Sequence, residues 1–400
     1  MENISNKPTW MNDEFFTTVV KHHSSDVKAK LINFVIKPDL ALGEHGGSSM
    51  FRGDINYSTS FQPNNVLSVV IKTEAIQGDH AESVNTLPLF EIEQEMYGGP
   101  LMDIKSLLES VGDFCNISPK VIYQAQKPHR VIVLEDLGVY GYAKITQPLE
   151  NFEDTKMVFQ RLAKFHAASY FLLNEKKADY SNFKLSIYHI EEPLIRYQFL
   201  TEPIIIFMEV LESWGGYEDY IKKLKTFCES FIEKGKQLYT PDINGYNVLN
   251  HADFHIKNLL FKTNEDKIED LYMYDFQISI LASPCVDLFY ALYNAISDEN
   301  RRTRRDEIIC YYHSEFSKAL KHFGYIGKIP SLLDLNLALM KHGAVEVVKC
   351  ICFKIFFFAN TDEIFGTSDS KEIKRKIFNN PRYKEFILSE LPRLVHLGFL

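Results

Sequence analysis

A change of hydrophobic pattern near Gly138 constrains the fold of this chain more than any other feature of its sequence. Before this point, short β-branched runs are typical of strands, and Leu89 to Tyr97 has helical spacing. The predicted strands lie at Asn33 to Leu40, at Phe51 to Thr59, at Val66 to Lys72 and within Val121 to Leu134. After Gly138 the apolar residues recur with helical spacing, first in Thr155 to Asn174. The chain is therefore predicted to be α+β, with a small β-rich lobe over residues 1–138 and a large helical lobe over residues 139–400.

Further helices are predicted later in the chain, and one island of strand-like sequence interrupts them. The helices are expected at Tyr217 to Leu238, Arg305 to Phe323 and Leu332 to Ala359. The strand-like island covers Val248 to Phe261 and returns at Leu271 to Ile278. Because functional groups favour loops that rigid elements hold in place, we expect the chemistry of the protein in this island.

Composition excludes several classes of protein. Apolar residues make up 46% of the 400 residues and charged residues 24%, as in globular chains and not in disordered or fibrous ones. The net charge of −9 does not favour a general nucleic-acid binder, which needs a cationic surface. The basic run Arg301 to Arg305 has acidic neighbours on both sides, which predicts a solvated helix start. The apolar run Ala344 to Ala359 is interrupted by charged residues, which predicts a buried helix and not a membrane span.

The cysteines and the first residues indicate the compartment. The six cysteines are scattered, without the paired spacing of a zinc or redox motif. Cys350 and Cys352 lie in the most apolar run and are expected to be buried thiols. The opening residues are polar where a signal peptide would be apolar. These features predict a cytoplasmic protein, and we also expect a monomer that binds neither nucleic acid nor membrane.

The strand-like island contains a pattern of histidine, acid and amide residues. His251, Asp253 and Asn258 form His-x-Asp-x-x-x-x-Asn before an apolar run, and the next run ends in Tyr274-Asp275. Phosphoryl transfer uses such a set of groups: one carboxylate orients the acceptor hydroxyl and takes its proton, while an amide and a second carboxylate hold magnesium. We therefore predict that Asp253 is the catalytic base and that Asn258 and Asp275 are Mg²⁺ ligands.

The β-rich part supplies a lysine and a carboxylate that suit a bound nucleotide. Lys72 ends the apolar run Val69 to Ile71, as expected for a lysine that reaches the phosphates of ATP from a strand. Glu93, on the predicted helix, is the carboxylate expected to hold this lysine. Glu91 and Glu95 are close alternatives on the same helix.

Two further segments are candidates for nucleotide contacts through their backbones. A glycine-rich turn, which includes Gly46, Gly47 and Ser48, offers N–H groups to phosphates, and an ordinary hairpin turn is the alternative interpretation. The segment after the last apolar run of the β-rich part is expected to face the adenine edge of the nucleotide. It consists of Glu135, Asp136 and Leu137.

These motifs resemble those of one insect protein family. The matching segments are PTWM from Pro8, VLEDLG from Val133, LAKFHAAS from Leu162, HADFHIKNLLF from His251 and YDFQISILASPCVDLFY from Tyr274. In these segments the chain is similar to the ecdysteroid kinase-like family, also called CHK kinase-like or juvenile hormone-inducible. The segments extend over nearly the whole chain in the order that the family shows.

The resemblance implies a bilobal protein-kinase-like fold of the choline and aminoglycoside kinase type, with ATP and Mg²⁺ as cofactors. It also implies transfer of the γ-phosphoryl group to a hydroxyl of a small molecule. An ecdysteroid or a similar apolar alcohol is the expected acceptor, in hormone inactivation or in detoxification. By motif position, the resemblance implies that Asp253 is the catalytic aspartate and that Asn258 and Asp275 are the metal ligands. It also implies that Lys72 and Glu93 form the ion pair of the family.

The resemblance also adds a supporting residue and shows two departures. Asp287 matches a family aspartate that braces the catalytic loop, and we expect it to act through His251. The family has glycine where this chain has Ala252, a change expected to matter only if the backbone φ is positive there. The turn before Ser48 carries Glu44 and lacks a clean Gly-x-Gly-x-x-Gly pattern.

The acceptor pocket is predicted from the aromatic residues between Tyr180 and Tyr220. Phe207 and Trp214 are expected to line an apolar pocket in the helical lobe, with ordinary core packing as the alternative. Acidic residues such as Glu209 leave a cationic acceptor open. The alternative functions are therefore a choline- or aminoglycoside-type kinase, or a nucleotide-binding pseudokinase.

Histidines elsewhere in the chain have simpler interpretations. His251 and His255 stand four residues apart, but alanine follows His251, so the zinc-protease pattern is absent. His166 lies on the apolar face of a predicted helix, which indicates a core histidine with satisfied hydrogen bonds.

Overall fold

The computed structural model describes residues 7–39, 48–74, 87–243, 245–265, 267–359, 364 and 369–400. Five antiparallel strands form its first sheet: β1 (Lys30–Pro38), β2 (Ser48–Ser58), β3 (Asn65–Glu74), β4 (Val121–Ala125) and β5 (Val131–Glu135). They lie in the order β1-β2-β3-β5-β4. The strands are rich in β-branched residues, which is why the sequence patterns predicted them.

Helix α1 (Asp13–Ser24) packs against this sheet and was not among the predicted elements. Asn12 caps it by accepting a hydrogen bond from the N–H of Phe15 at 3.1 Å, and two acids occupy its first turn. Its buried side chains, such as Phe16, share a hydrophobic cluster with the strands. The cap and the acids were the available signals for this helix.

Helices α2 (Leu89–Gly98) and α3 (Pro100–Ser110) follow the third strand. The first of them is the helix predicted over Leu89 to Tyr97. Their buried residues belong to a second, larger hydrophobic cluster, which they share with the helical part of the chain. Helix α2 is therefore packed between the sheet and the rest of the molecule, where its side chains can reach both.

The rest of the described chain is mostly helical and carries two small sheets. Its helices are α4 (Phe152–Glu175), α5 (Glu202–Trp214), α6 (Glu218–Cys228), α7 (Phe231–Leu238), α8 (Cys285–Asn294), α9 (Asp298–His322), α10 (Leu332–Lys341), α11 (Ala344–Val348), α12 (Ser370–Phe378) and α13 (Pro381–His396). Its strands are β6 (Tyr142–Lys144), β7 (Val248–Asn250), β8 (Leu259–Asn264), β9 (Lys267–Met273) and β10 (Ile280–Ala282). They pair as β6-β8-β9 and β10-β7. Shorter helical turns cover Leu137–Tyr140, Pro193–Arg196, Tyr197–Thr201, Ile256–Asn258, Lys349–Phe353 and Lys354–Phe357. The architecture confirms the predicted α+β class, with a β-rich N-terminal region and a helical C-terminal region.

Two predicted helices are interrupted. The segment Tyr217 to Leu238 forms two helices, α6 and α7, separated by a turn after Cys228. The segment Leu332 to Ala359 is divided after α10, where Gly343 lies so close to the ring of Phe399 that a side chain would not fit. The apolar spacing continues across both breaks because the helices on each side bury the same face, so periodicity alone did not reveal them.

The second strand of the island is shorter than predicted. The prediction placed a strand over Leu271 to Ile278, but β9 ends at Met273. The chain then turns, because the N–H of Ser279 donates to the carbonyl of Phe276 at 3.2 Å. Asp275 consequently lies in a loop between β9 and β10.

The apolar run near the C-terminus is buried, as predicted. Every residue of α11 is buried, and so are Cys350 and Cys352 after it. All six cysteines are free thiols. Within the described ranges, none of the helices is long and apolar enough to cross a membrane.

A buried network of charged side chains connects helices α9, α11 and α13. The Nη2 of Arg301 lies 2.8 Å from Oε1 of Glu390, and Glu346 pairs with both Arg305 and Arg393. Arg301 is only 2% exposed. The prediction of a solvated helix start is therefore wrong for Arg301, whose charge is balanced by a buried carboxylate and not by water.

Acidification is expected to destabilise the fold through His342, which directly follows α10 and is 8% exposed. Burial, with a smaller effect of the charge on Lys341, lowers the pKa of His342 to about 4. The unfolded chain keeps the ordinary pKa of 6.5, so it binds the extra proton first and stability falls as the pH drops from 6.5 toward 4. Between about pH 6.5 and 4.5, we expect the free energy of unfolding to fall by about 2 kcal/mol less in His342→Gln than in the wild type. Urea unfolding at a series of pH values measures this difference.

The matched control for this prediction is His396→Gln, which makes the same change at an exposed position. We expect the control to keep the pH dependence of the wild type. Parallel stability curves for His342→Gln and the wild type would contradict the prediction.

Candidate active site

A buried lysine joins the first sheet to helix α2 and to the loop between β9 and β10. Lys72, on β3, is 4% exposed, and its Nζ lies 2.5 Å from Oε2 of Glu93 and 2.6 Å from Oδ1 of Asp275. Burial disfavours the charged lysine, but the two carboxylates outweigh it and raise the pKa of Lys72 above its ordinary value. Burial also raises the pKa of Glu93, against the opposing charge of Lys72. One cation therefore holds two carboxylates that come from distant parts of the chain.

The two alternatives for the helical carboxylate have other partners. Oε1 of Glu91 lies 2.8 Å from Nη2 of Arg130. Glu95 accepts a hydrogen bond from Asn182 at 2.9 Å. The structure thus brings Glu93, and neither of its neighbours on α2, to Lys72.

Asp287 holds the beginning of the loop formed by residues 251–258. It is fully buried in the first turn of α8, where its carboxylate accepts hydrogen bonds from the backbone N–H groups of His251 and Ala252, both at 2.7 Å. The same carboxylate accepts a hydrogen bond from Nε2 of His166, on α4, at 3.0 Å. Asp287 thus contacts His251 as expected, through the backbone N–H of that residue and not through its ring.

The ring of His251 connects this loop to the loop between β9 and β10. Its Nε2 donates to the carbonyl of Tyr274 at 2.9 Å, and its Nδ1 accepts from the N–H of Asp253 at 3.3 Å. These two bonds assign the neutral tautomer with hydrogen on Nε2. Oδ2 of Asp253 accepts a hydrogen bond from Asn258 at 3.1 Å and lies 3.3 Å from Nε2 of His255. The loop is thus tied at both ends around the carboxylate of Asp253.

Ala252 meets the condition under which the replacement of glycine matters. Its φ is +66°, in the left-handed region that favours glycine, and the residue is 2% exposed. Ala252→Gly is expected to change the free energy of unfolding by less than about 1 kcal/mol, because relief of strain and loss of a buried methyl group offset each other. Ala252→Val is expected to destabilise the fold by about 2 kcal/mol or more, since a β-branched side chain is strained at this φ and has no space.

The measurement for this pair of variants is urea unfolding at neutral pH. A Val variant as stable as the Gly variant would contradict the expected strain at position 252.

Asn258 and Asp275 have the features of magnesium ligands. Asn258 is fully buried, and its Nδ2 donates to the carbonyl and the carboxylate of Asp253, both at 3.1 Å. Its Oδ1 is buried and has no hydrogen-bond partner among the described residues. Asp275, with an unfavourable φ of +68°, follows Tyr274, whose N–H donates to the carbonyl of Asn258 at 3.2 Å. Amide and carboxylate oxygens are the ligands that Mg²⁺ prefers, so these two residues fit the ion.

The segments predicted to contact the nucleotide through their backbones are only partly described. Gly46 and Gly47 lie outside the described residues, and Ser48 is the first residue of β2. At the end of β5, the side chain of Glu135 accepts a hydrogen bond from the N–H of Lys120 at 2.7 Å.

The residues after β5 use their side chains within the protein. Oδ1 of Asp136 accepts from the N–H of Gly138 at 2.8 Å and lies 3.1 Å from Nη1 of Arg52. Leu137 is buried. Any contact of these residues with an adenine ring would therefore run through their backbones, as expected from the sequence.

The two residues predicted for the acceptor pocket occupy other surroundings. Phe207 has no exposed surface, and its ring packs against Trp214, Phe378 and Tyr383. Nε1 of Trp214 donates to Asn379 at 2.8 Å. In this conformation the surroundings of Phe207 correspond to the alternative of ordinary core packing, and its acceptor role stays a prediction. Trp214 packs against the C-terminal helices in the same way.

Sequence reasoning gave His166 the role of a core histidine and did not connect it to the site. It is fully buried between Asp287 and the hydroxyl of Tyr312, which lies 2.7 Å from its Nδ1. Burial lowers the pKa of His166 despite the neighbouring carboxylate. The neutral ring therefore accepts from Tyr312 and donates to Asp287. The only sequence signal was a histidine on an otherwise apolar helix face.

A β-rich region whose lysine meets a carboxylate loop of a helical region is the architecture of the protein-kinase-like phosphotransferases. The model of the Ecdysteroid kinase-like family matches residues 42–325, and the chain belongs to this family. Membership confirms the resemblance noted in the sequence. It also confirms the predicted class of enzyme, a phosphotransferase that acts on hydroxyl groups.

Solved structures with similar folds share little sequence with the chain. The GDP complex of aminoglycoside 2'-phosphotransferase-IIIa is 11% identical, with 95% of this chain and 100% of that chain covered and a TM-score of 0.42. The macrolide 2'-phosphotransferase MphH from Brachybacterium faecium is 10% identical, with 92% and 99% covered and a TM-score of 0.39. The comparison with curated protein sequences gave no match.

Proposed function

We propose that the protein transfers the γ-phosphoryl group of ATP to a hydroxyl group of a neutral, apolar alcohol, with an ecdysteroid as the first candidate. The observation that carries the proposal is the contact between Lys72 and Asp275, at 2.6 Å. It joins the predicted phosphate-binding lysine of the sheet to the predicted metal ligand of the helical region. A pseudokinase that had lost transfer would have no need to keep this pair together with Asp253 and Asn258.

Each residue of the site has a separate role in this proposal. Asp253 orients the acceptor hydroxyl and receives its proton while the acceptor oxygen bonds to the γ-phosphorus and ADP leaves. Asn258 and Asp275 hold Mg²⁺, which neutralises charge on the phosphates. Lys72 contacts the phosphates, and Glu93 keeps it in position.

The release of Asp275 from Lys72 is part of this proposal. In the structure, Lys72 neutralises both carboxylates, each within 2.6 Å of its Nζ. Bound phosphates would compete with Asp275 for Lys72 and would make the Asp275 carboxylate available to hold Mg²⁺, while Glu93 would remain on Lys72.

The experiment that tests the proposal is phosphoryl transfer to a mixed set of alcohols in the presence of ATP and Mg²⁺, with products identified by mass spectrometry. The set contains ecdysone, 20-hydroxyecdysone, choline, an aminoglycoside and several plant phenolics. We expect a mass gain of one phosphoryl group on a neutral alcohol. Asp253→Asn serves as the control for transfer that does not come from this site.

Two outcomes would overturn the proposal. The first is the absence of ATP binding in the presence of Mg²⁺. The second is ATP binding without transfer to any compound of the set, which would favour a nucleotide-binding pseudokinase. Transfer to choline or to the aminoglycoside alone would keep the class of enzyme and replace the acceptor.

A further inference from the structure

A lysine buried in the helical region has no carboxylate partner in the part of the chain that the structure describes. Lys349 begins the π-helical turn Lys349–Phe353 and is 1% exposed. The other buried lysines of the described chain each pair with a carboxylate: Lys72 with Glu93 and Asp275, Lys354 with Asp298, and Lys374 with Glu202. For Lys349 the described residues provide no ion pair. Its amine lies instead over aromatic rings, with Nζ 3.0 Å from the ring centroid of Tyr290 and 4.0 Å from that of Phe353.

Burying an unpaired amine is unfavourable, so its position needs a reason. π-Helical turns interrupt regular helices and occur frequently at functional sites. In this chain the turn comes directly after α11 and sets the amine of Lys349 against α8. A leucine or methionine would fill the same space without the loss of hydration energy.

The position of Lys349 places it beside the 251–258 loop. Tyr290 lies on α8 one helical turn after Asp287, so both side chains lie on the same face of that helix. Asp287 binds the backbone of that loop, directly before Asp253. On its other side, the loop contacts the segment after the π-helical turn, because Nζ of Lys257 donates to the carbonyl of Phe356 at 3.3 Å. The turn that carries Lys349 is thus connected to the loop that carries Asp253 on two sides, through α8 and through the turn that follows it.

Two further buried tyrosines, Tyr188 and Tyr239, lie close enough to Tyr290 to affect its pKa. The rings of Tyr188 and Tyr239 lie 5.2 Å apart, and those of Tyr290 and Phe353 lie 5.6 Å apart. The hydroxyl of Tyr188 is buried and has no hydrogen-bond partner within the described residues. The residue is 1% exposed. The region therefore contains a second buried polar group without a partner.

The electrostatic environment agrees with this placement. Burial lowers the pKa of Lys349, and the negative charge of Asp253 gives the largest effect in the opposite direction. Burial raises the pKa of Tyr290 and of Tyr239, with further contributions from the charges of Asp253 and Asp287. The carboxylate of Asp253 therefore acts on all three side chains.

We propose that Lys349, with the hydroxyls of Tyr188, Tyr239 and Tyr290, forms the acceptor subsite beside Asp253. In this subsite the amine binds an oxygen atom of a neutral alcohol next to the hydroxyl that reacts, and it rejects cationic acceptors. The inference rests on the proposed function, since it names the acceptor class of the same site. An oxygen atom supplies the partner that the amine and the hydroxyl of Tyr188 lack in the described structure, whereas a quaternary or primary ammonium group offers neither of them a hydrogen-bond acceptor.

The test is acceptor binding, measured by titration calorimetry in the presence of Mg²⁺ and a non-hydrolysable ATP analogue, so that it does not depend on turnover. The neutral probes are 20-hydroxyecdysone and a plant phenolic, and the cationic probes are choline and an aminoglycoside. We expect the wild type to bind a neutral probe at least tenfold more tightly than either cationic probe. Lys349→Met should weaken binding of that neutral probe at least tenfold and leave affinity for the ATP analogue within twofold.

Two more variants separate specificity from folding. Lys354→Met removes a buried lysine one turn further along, whose charge is paired with Asp298 at 2.9 Å, and is expected to lower stability without altering acceptor preference. Tyr239→Phe removes one hydroxyl group and is expected to weaken binding of the neutral probe about threefold to tenfold. It retains an informative readout even if Lys349→Met fails to fold.

The outcomes distinguish this inference from the proposed function. The inference is overturned if Lys349→Met binds the neutral probe as tightly as the wild type does. If Lys349→Met does not fold, the same result in Tyr239→Phe overturns it. So does a wild type that prefers the cationic probes or binds no probe while it binds the ATP analogue. Failure to bind the ATP analogue overturns the proposed function. If the wild type prefers a neutral probe as expected but transfers no phosphoryl group, the result supports the subsite and refutes only the transferase activity.

Discussion

Asp253→Asn is expected to lower kcat by about 10³-fold or more while the protein keeps its fold and its affinity for ATP. The substitution preserves the shape of the side chain but removes the carboxylate that would receive the proton of the acceptor hydroxyl. It also removes a negative charge that accepts a hydrogen bond from Asn258 at 3.1 Å. Initial rates at saturating ATP, together with the KM for ATP, provide the measurement.

The matched control is Asp179→Asn, the same chemical change at an exposed position. We expect this control to retain the rate of the wild type. An Asp253→Asn enzyme with more than a tenth of the kcat of the wild type would show that another group accepts the proton.

Asp287→Asn is expected to lower both stability and kcat. A carboxylate with no exposed surface accepts hydrogen bonds from two backbone N–H groups and from His166. An amide has a single acceptor oxygen, and its NH₂ group would face donors, so we expect a loss of about 3 kcal/mol in the free energy of unfolding. We also expect kcat to fall by more than tenfold, because the backbone next to Asp253 loses its support.

Urea unfolding and steady-state kinetics measure these two effects separately. The KM for ATP is expected to change less than kcat, since Asp287 contacts none of the residues predicted to bind the nucleotide in the described structure. Stability within 1 kcal/mol of the wild type, or a kcat within threefold, would refute the role of Asp287 as a brace.

The sequence predicted the fold class and most of the polar residues that the site brings together. The order of motifs was sufficient for this, because His251, Asp253 and Asn258 lie within one short loop and Asp275 ends the following strand. Local spacing cannot show which of several helical acids meets Lys72. That choice depends on how α2 packs against the sheet, and burial selects Glu93.

The points that the sequence predicted wrongly or could not decide have a common physical origin in tertiary packing. Phe207 belongs to an aromatic-rich segment, but aromatic composition does not distinguish a pocket from a core. Arg301 lies in a basic run that looked solvated, and its buried partner Glu390 is distant in sequence. The positive φ of Ala252 occurs together with a hydrogen bond to Asp287, which is distant in sequence, and leaves no local pattern. Lys349 was treated as an interruption of an apolar run, although an unpaired lysine in such a run was itself the signal.

The ionic network between α9, α11 and α13 determines how far the folding unit extends. The family match ends at residue 325, but Arg301 and Arg305 within it find their carboxylates at Glu346 and Glu390, and Arg393 completes the set. A chain shortened at the end of the family match would leave Arg305 without Glu346 and would leave Arg301 with Asp298 alone, and removing one partner of a buried ion pair costs about 3–5 kcal/mol. The last 75 residues are thus an integral part of the enzyme and not a removable appendage. Substitutions in this region of the chain are therefore expected to be tolerated only where they preserve the pairing of charges or replace a whole group of them together.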